Sequence, residues 1–427
     1  NAVKYFLEAA ELARERGANA ESLKSIEQIL AYGPDVDLVT RLRAMEVKSD
    51  VLHNLGDYDA CLSNEETLLT LAQESQDESR LAEAYYVHSV TLHDLGNLQG
   101  ALDVLDQAVN AARRAGDLQI EAKVQGYKVV PLTRLGEIDA AEKLAEEAIR
   151  LAETGDDDLV LARNLTNVSF FYGETGDISR AVEMLLRQLE ITTRIGSLKG
   201  RAIGLGNLGY NYVMLGLYPE GISNIEQAME ISLQIGYIAQ CIHNSWNLSL
   251  ANLRMGNPQA AIRDLEPVEQ EVIGKGFLET YHRYYRGLAG EGVGDHTKAK
   301  ADFERGHEGF LEMDFKANAF DSMAGIVRCS MKLGQLDEAT QSVEKLWGYL
   351  KENGSGGMEL PILSYVTCAD VFREIGDSEK SAAAAQIGYE VLMEMANKIS
   401  GPGMRRSFLE NVPEHRTMVE MWDLVRG

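Results

Sequence analysis

One glycine recurs at a fixed interval through the whole chain. Gly56, Gly96, Gly136, Gly176, Gly216 and Gly256 stand 40 residues apart; the series runs on to Gly294, Gly334 and Gly376 and back to Gly17 with steps of 38 to 42. Ten copies mean that one small unit, repeated, sets the fold of the 427 residues. Two further positions keep register with the glycine. Five residues after it stand Ser22, Cys61, Ala101, Ala141, Ala181, Gly221, Ala261, Ala299, Ala339 and Ser381. Seven before it stand Ala10, Ser49, Ser89, Val129, Ser169, Gly209, Ser249, Gly287, Val327 and Ala369. None of these is large, and small residues repeated on two successive helices imply close backbone approach between the helices of a pair.

The residues after the glycine, Asp57, Asn97, Asp177, Asn257, Asp295 and Asp377, can cap or charge-complement a helix N-terminus and mark where each second helix starts. Between the small positions, large apolar residues recur with the helical period, as in RAVEMLLRQLEITTRIG from Arg180 to Gly196. No segment alternates with period two, so no sheet is predicted. A helix pair of this kind cannot bury its apolar face alone and must stack on its neighbours. The expectation is an all-α, right-handed superhelical solenoid of ten helix pairs over residues 1–400, one cooperative array. Residues 401–427 would form a C-terminal capping segment over the last apolar face.

The stretch NLGYNYVMLGLYPEGI, from Asn207 to Ile222, sharpens the argument. Gly209 and Asn207 are both poor helix formers, and a glycine inside a helix costs about 1 kcal/mol relative to alanine. Close packing against a neighbouring helix offsets the cost at Gly209. Asn207 requires a separate explanation.

A formal net charge of -25 argues against general affinity for nucleic acid or anionic membranes. No apolar run approaches 18 residues, so no membrane span is predicted. Cys61, Cys241, Cys329 and Cys368 are far apart, which fits neither a disulfide framework nor a zinc site; reduced thiols and a cytoplasmic setting are expected. The chain opens NAVKYFLEAAELARERG, an amphipathic helix charged throughout rather than a signal peptide. It begins without methionine, and the expectation is a piece of a longer protein whose remainder carries the catalytic or effector function.

Leu208, Gly209 and Tyr212, followed by Gly216, Tyr218 and the small Gly221, resemble the tetratricopeptide repeat (TPR), whose signature is a Leu-Gly pair, an aromatic and a later alanine. LGNLQGALDVLDQAV (Leu95 to Val109) and LGEIDAAEKLAEEAI (Leu135 to Ile149) are similar. The repeat here is longer than the usual length of about 34 residues and lacks its closing proline, so longer helices are expected. Repeats of this length resemble those of kinesin light chains, of peptide-sensing regulators of Gram-positive bacteria, and of the sensor arms of bacterial signalling ATPases related to the maltotriose-responsive activator. The tail GPGMRRSFLENVPEHRTMVEMW (Gly401 to Trp422) is similar to the segment that closes such arms, which follow an ATPase or adenylyl cyclase module.

The resemblance implies that the first helix of each pair lines a concave groove, with contact residues at fixed offsets before the turn glycine. Nine before it stand Asn167, Asn207 and Asn247 in three consecutive repeats, flanked by Tyr127 and Tyr285. An amide offers both a donor and an acceptor, which matches an extended peptide backbone. The alternative is that each asparagine bonds a neighbouring helix and stiffens the array. Thirteen before the glycine lie Lys123, Arg163, His243 and Tyr281; ten before it, Trp246 and Tyr284; six before it, Phe170 and Tyr210. Aromatics with polar tips suit stacking and hot-spot burial. Lys123 and Arg163 would supply charge for a carboxylate or phosphate.

Catalytic signatures are missing: there is no phosphate loop, HExxH, GxSxG or dinucleotide turn. GLGNLGY, from Gly204 to Tyr210, falls within a helix, and the eight histidines are scattered, so no catalytic residue, cofactor or metal is predicted. The expected function is non-catalytic binding of a protein or peptide in the groove, as the ligand-sensing arm of a larger bacterial signalling protein with an upstream ATPase, cyclase or DNA-binding module. A sugar or metabolite sensor using Trp246, Tyr284 and Tyr285 is one alternative. A passive assembly scaffold is another.

Overall fold

The computed structural model describes residues 2–426. Over these residues ten helix pairs follow one another: α1 (Ala2–Glu15) with α2 (Asn19–Leu30), α3 (Leu38–Leu55) with α4 (Tyr58–Ser75), α5 (Glu78–Asp94) with α6 (Leu98–Ala115), α7 (Leu118–Arg134) with α8 (Ile138–Glu153), and α9 (Asp158–Glu174) with α10 (Ile178–Arg194). Then come α11 (Leu198–Met214) with α12 (Tyr218–Gln234), and α13 (Ile238–Arg254) with a second helix that Pro267 interrupts into α14 (Pro258–Leu265) and α15 (Glu269–Val272). The last pairs are α16 (Gly276–Gly292) with α17 (His296–Glu312), α18 (Lys316–Lys332) with α19 (Leu336–Asn353), and α20 (Pro361–Glu374) with α21 (Ser378–Lys398). Two further helices, α22 (Pro402–Glu410) and α23 (Pro413–Arg426), close the chain. There is no strand among the described residues, and most helices run to 17 or 18 residues.

All ten turn glycines lie at positive φ, between 67° and 86°. That region costs an L-residue with a side chain about 1–2 kcal/mol, so glycine recurs where the chain must leave one helix and enter the next. The side chains of Asp57, Asn97, Asp177, Asp295 and Asp377 accept from the backbone N–H three residues on. Asn257 makes no such cap bond, and Pro258 occupies the first helical position. A second turn series, between one pair and the next, lies about 20 residues further on: Gly116, Gly196, Gly236 and Gly274 are also at positive φ, with Gln76 (55°) and Asp314 (60°) in equivalent places. Asp77 and Asp117 cap the helices that follow two of these turns, and Asp37 and Asp157 cap α3 and α9.

Within a pair the small positions meet. The Ser22 hydroxyl donates to the Ala10 carbonyl (2.8 Å), Ser381 to Ala369 (2.7 Å), and the Cys61 thiol to Ser49 (3.7 Å), always from the position five after the glycine to the position seven before it. At Gly209 a Cβ would lie 2.5 Å from Ile225 Cγ1 and 2.8 Å from the Gly221 carbonyl oxygen. Two glycines deeper in the first helices leave room for amides. A Cβ on Gly126 would fall 2.0 Å from Asn164 Oδ1, and one on Gly206 2.7 Å from Asn244 Oδ1. The Asn164 amide donates to the Ala122 and Ala148 carbonyls (2.9 and 3.1 Å) and ties three helices together.

By internal contact the chain divides into two compact units: one runs through Phe171 and adds Glu183–Gly206 and Glu226–Asn244; the other comprises Tyr172–Val182, Asn207–Ile225 and the chain from Ser245. In the first unit the turn at Gly17 rests against the turn at Gly236, with Asn19 Nδ2 donating to the Gly236 carbonyl (2.9 Å). In the second, α22 and α23 pack against neighbouring turns. The Tyr218 hydroxyl donates to the Asn411 carbonyl (3.1 Å), and Arg254 is paired with Glu414, both buried. Burial alone would raise the Glu414 carboxyl, but Arg254, His415 and its own backbone N–H together hold the group below the ordinary carboxylate range.

Two stability outcomes follow from these contacts. Gln76→Gly is expected to raise stability by about 0.5–1 kcal/mol in a denaturant titration, because glycine takes φ near 55° without steric cost. Arg254→Met or Glu414→Leu alone is expected to cost about 3–5 kcal/mol by leaving an uncompensated buried charge, and the double variant less than either.

A cationic cavity as the candidate functional site

The first helices α3, α5, α7, α9 and α11 of the first unit wall a cavity of about 780 Å³. It lies on the side of these helices that carries the offset thirteen before the turn glycine, contributing Arg43, Glu83, Lys123, Arg163 and Ile203 in five successive repeats. Five cationic side chains (Arg14, Arg43, Lys123, Arg163 and Lys199) face three anionic ones (Glu46, Asp50 and Glu83). The cavity is therefore locally basic in a chain of net charge -25.

The charges are organised around Tyr86. Lys123 Nζ lies 4.1 Å from the ring centroid and the Arg163 guanidinium 5.6 Å, both within cation–π range. Lys123 is buried and paired with Glu83. Burial and the nearby Arg163 push its ammonium down to about 8, against the opposing pull of Glu83. Arg163 differs from it: the side chain is open to solvent through the cavity and has no ion-pair partner among the described residues. Opposite, Lys199 bridges Asp50 (2.7 Å) and Asn54 (2.8 Å) and lies over the Tyr237 ring (4.9 Å). Burial would raise the Asp50 carboxyl, yet Lys199 and Arg14 hold it below its ordinary value.

Asn167 also lines the cavity. It is 9% exposed, and its Nδ2 is buried without a hydrogen-bond partner. Leaving a buried donor unpaired costs about 1–3 kcal/mol. Tyr127, buried and edge-on to Tyr86 (5.6 Å), completes the wall.

Of the residues singled out in the sequence, Lys123, Tyr127, Arg163 and Asn167 thus meet at one cavity. Phe170 and His243 belong to the same unit but do not line it. The Phe170 ring receives the Arg134 guanidinium at 5.0 Å, and burial holds the His243 imidazole below its ordinary value.

The others lie in the second unit. Trp246, Tyr281, Tyr284 and Tyr285 are buried; Trp246 stacks on Tyr285 (5.6 Å) and Tyr281 (5.7 Å), and Tyr284 stands edge-on to Tyr285 (5.5 Å). Tyr210 and Tyr285 both donate their hydroxyls to Glu359 Oε1 (3.0 and 2.7 Å), so an acidic residue from the segment joining α19 to α20 already engages these two tips. The Glu359 backbone N–H in turn donates to Asp321, whose carboxyl burial pushes up to about 8. Asn207 and Asn247 are half-buried. Tyr86, Arg43, Glu83, Asp50 and Lys199 were not anticipated, although Arg43 and Glu83 extend the offset of Lys123 two repeats backwards.

Ten helix pairs in 40-residue register, turning on positive-φ glycines, define a TPR-like α-solenoid. No family model and no curated protein sequence matches the chain. Solved structures do share the fold. A Rap conjugation gene regulator of plasmid pLS20, in complex with the Phr* peptide, aligns at TM-score 0.55 and 12% identity, over 74% of this chain and 97% of its own. A Rap protein complexed with competence and sporulation factor aligns at 0.54 and 11%, over 82% and 98%. NprR in complex with its cognate peptide NprX aligns at 0.51 and 12%, over 82% and 100%.

The Asp321 carboxyl gives a signed pH dependence. Its folded value lies above the unfolded one, so the folded state binds the extra proton and stability falls as pH rises from about 4 to about 8. The difference in Tm between pH 5 and pH 8 is expected to shrink in Asp321→Asn; an unchanged difference would assign the dependence to other groups.

Proposed function

We propose that this chain is a non-catalytic peptide- or protein-binding domain, the ligand-sensing arm of a larger bacterial signalling or regulatory protein that acts in the cytoplasm. The partner enters the cavity of the first unit. Arg163 and Lys123 take an acidic side chain or a terminal carboxylate, Asn167 takes a backbone carbonyl, and Tyr86 and Tyr127 supply apolar contact. Asn207 and Asn247 carry the same amide at the same offset within the second unit and offer a separate contact there. Residues 1–400 form the repeat array and 401–427 its cap, with an ATPase, cyclase or DNA-binding module elsewhere in the protein.

The observation that carries this reading is the meeting, in one cavity, of an accessible Arg163 that has no ion-pair partner among the described residues with the buried, unpartnered Nδ2 of Asn167. Helix packing requires neither. The structural amide of the array is Asn164, three residues earlier, and it is bonded to two carbonyls. Peptide complexes of similarly folded proteins support the class of ligand.

Arrays of short peptides with free or amidated C-termini, followed by fluorescence anisotropy on the best binder, test the reading. Arg163→Ala and Asn167→Ala are each expected to weaken binding by about 2 kcal/mol, roughly 30-fold, with Tm little changed. Affinity for an acidic peptide is expected to fall between pH 7 and pH 9 as Lys123 loses its proton. Loss of stability with unaltered binding in these variants would contradict the proposal.

A further inference from the structure

A second group of chemically active side chains lies in the first unit beside the cavity. Glu65 on α4 is fully buried. Its Oε1 accepts the Thr91 hydroxyl at 2.8 Å, but Oε2 has no hydrogen-bond partner. Two histidines flank it, His53 from α3 with Nε2 3.7 Å from Oε1, and His88 from α5 with Nδ1 3.5 Å from Oε2. His88 Nδ1 is likewise buried without a partner. Cys61, one helical turn before Glu65 and fully buried, brings its sulfur within 4.8 Å of the ligating atoms of both His53 and Glu65.

Oε2 faces His88, whereas Oε1 and His53 Nε2 share the Thr91 hydroxyl oxygen (2.8 and 2.9 Å), which a metal would displace; a buried carboxylate among such groups needs a cation or a donor. The separations fit the first explanation. Ligands about 2.0–2.3 Å from a tetrahedral metal lie roughly 3.3–3.7 Å from one another; His53 Nε2 and Glu65 Oε1 stand 3.7 Å apart, and the Cys61 sulfur lies within 4.8 Å of both. The donor set of one imidazole, one thiol sulfur and one carboxylate suits borderline ions such as zinc rather than calcium or magnesium, which take oxygen.

We propose that His53, Cys61 and Glu65 form a zinc-class metal site. His88 supports it by holding the far carboxylate oxygen of Glu65, as outer-shell partners do. His53 also lines the cavity, which provides the entry path. Cys61 now donates to the Ser49 carbonyl. Binding therefore proceeds with loss of the thiol proton to solvent as the sulfur becomes a thiolate on the metal.

The test is a titration of the full chain with Co²⁺ alone, followed by Zn²⁺. The expected result is saturation at one ion per chain, with a thiolate-to-cobalt charge-transfer band that Zn²⁺ abolishes. Cys61→Ser is expected to lose the band, His53→Ala to lose tight binding, and His88→Ala to weaken affinity about 10- to 100-fold. Circular dichroism of the metal-free variants checks the fold, and His53→Ala decides the matter if Cys61→Ser does not fold. Absence of a thiolate band in the unaltered chain, or a band of equal affinity in His53→Ala, would overturn the proposal.

Discussion

The structure depends on how closely the two helices of each pair approach at their small residues. In three repeats a polar residue five after the turn glycine donates directly to the backbone carbonyl seven before it, and in a fourth two glycines take those places. At that spacing no larger side chain fits. The positive-φ glycine turns the chain, and the small pair sets the distance at which the returning helix lies. Everything further along each helix is placed by these two constraints.

One consequence is that residues sharing an offset share a wall. Arg43, Glu83, Lys123 and Arg163 come from four different helices, yet all line one cavity because each is the same distance from its own turn. The wall concentrates positive charge in an acidic protein, and a concave surface with low-dielectric sides focuses that field on an incoming anion. Lys123 shows the cost of the arrangement, since burial and its neighbour Arg163 bring its ammonium near the point of losing its proton. Glu83 and the Tyr86 ring offset part of that cost.

Much of this was legible in the sequence, because a 40-residue period fixes both the elements and their register. The turns, the helix pairs and the close approach at Gly209 all follow from spacing. The second turn series was harder to see: Gln76 and Asp314 stand where other repeats place glycine, so the pattern is broken at those positions. The candidate site was legible only in part. Lys123, Arg163, Tyr127 and Asn167 meet as their offsets imply, whereas Trp246, Tyr281, Tyr284 and Tyr285 pack on one another and Tyr285 turns its hydroxyl to Glu359. Offsets specify which way a residue faces; they do not reveal that a distant segment such as the one carrying Glu359 fills the space in front of it. The His53, Cys61 and Glu65 group was hidden for a related reason: its members come from the two helices of one pair, and their side chains converge only after the chain has turned at Gly56.

Close approach and helix propensity make opposite demands on the same substitution, and that opposition allows a decisive measurement. Gly348 lies inside α19 with nothing within 4 Å of the methyl an alanine would add, so Gly348→Ala should gain about 1 kcal/mol from propensity alone. Gly209 lies inside α11, where the same methyl would come closer than 3.0 Å to Ile225 and to the Gly221 carbonyl. Equilibrium unfolding of the two variants, side by side, is expected to show Gly348→Ala more stable than the parent chain and Gly209→Ala less stable. A Gly209→Ala chain stabilised as much as Gly348→Ala would contradict the account.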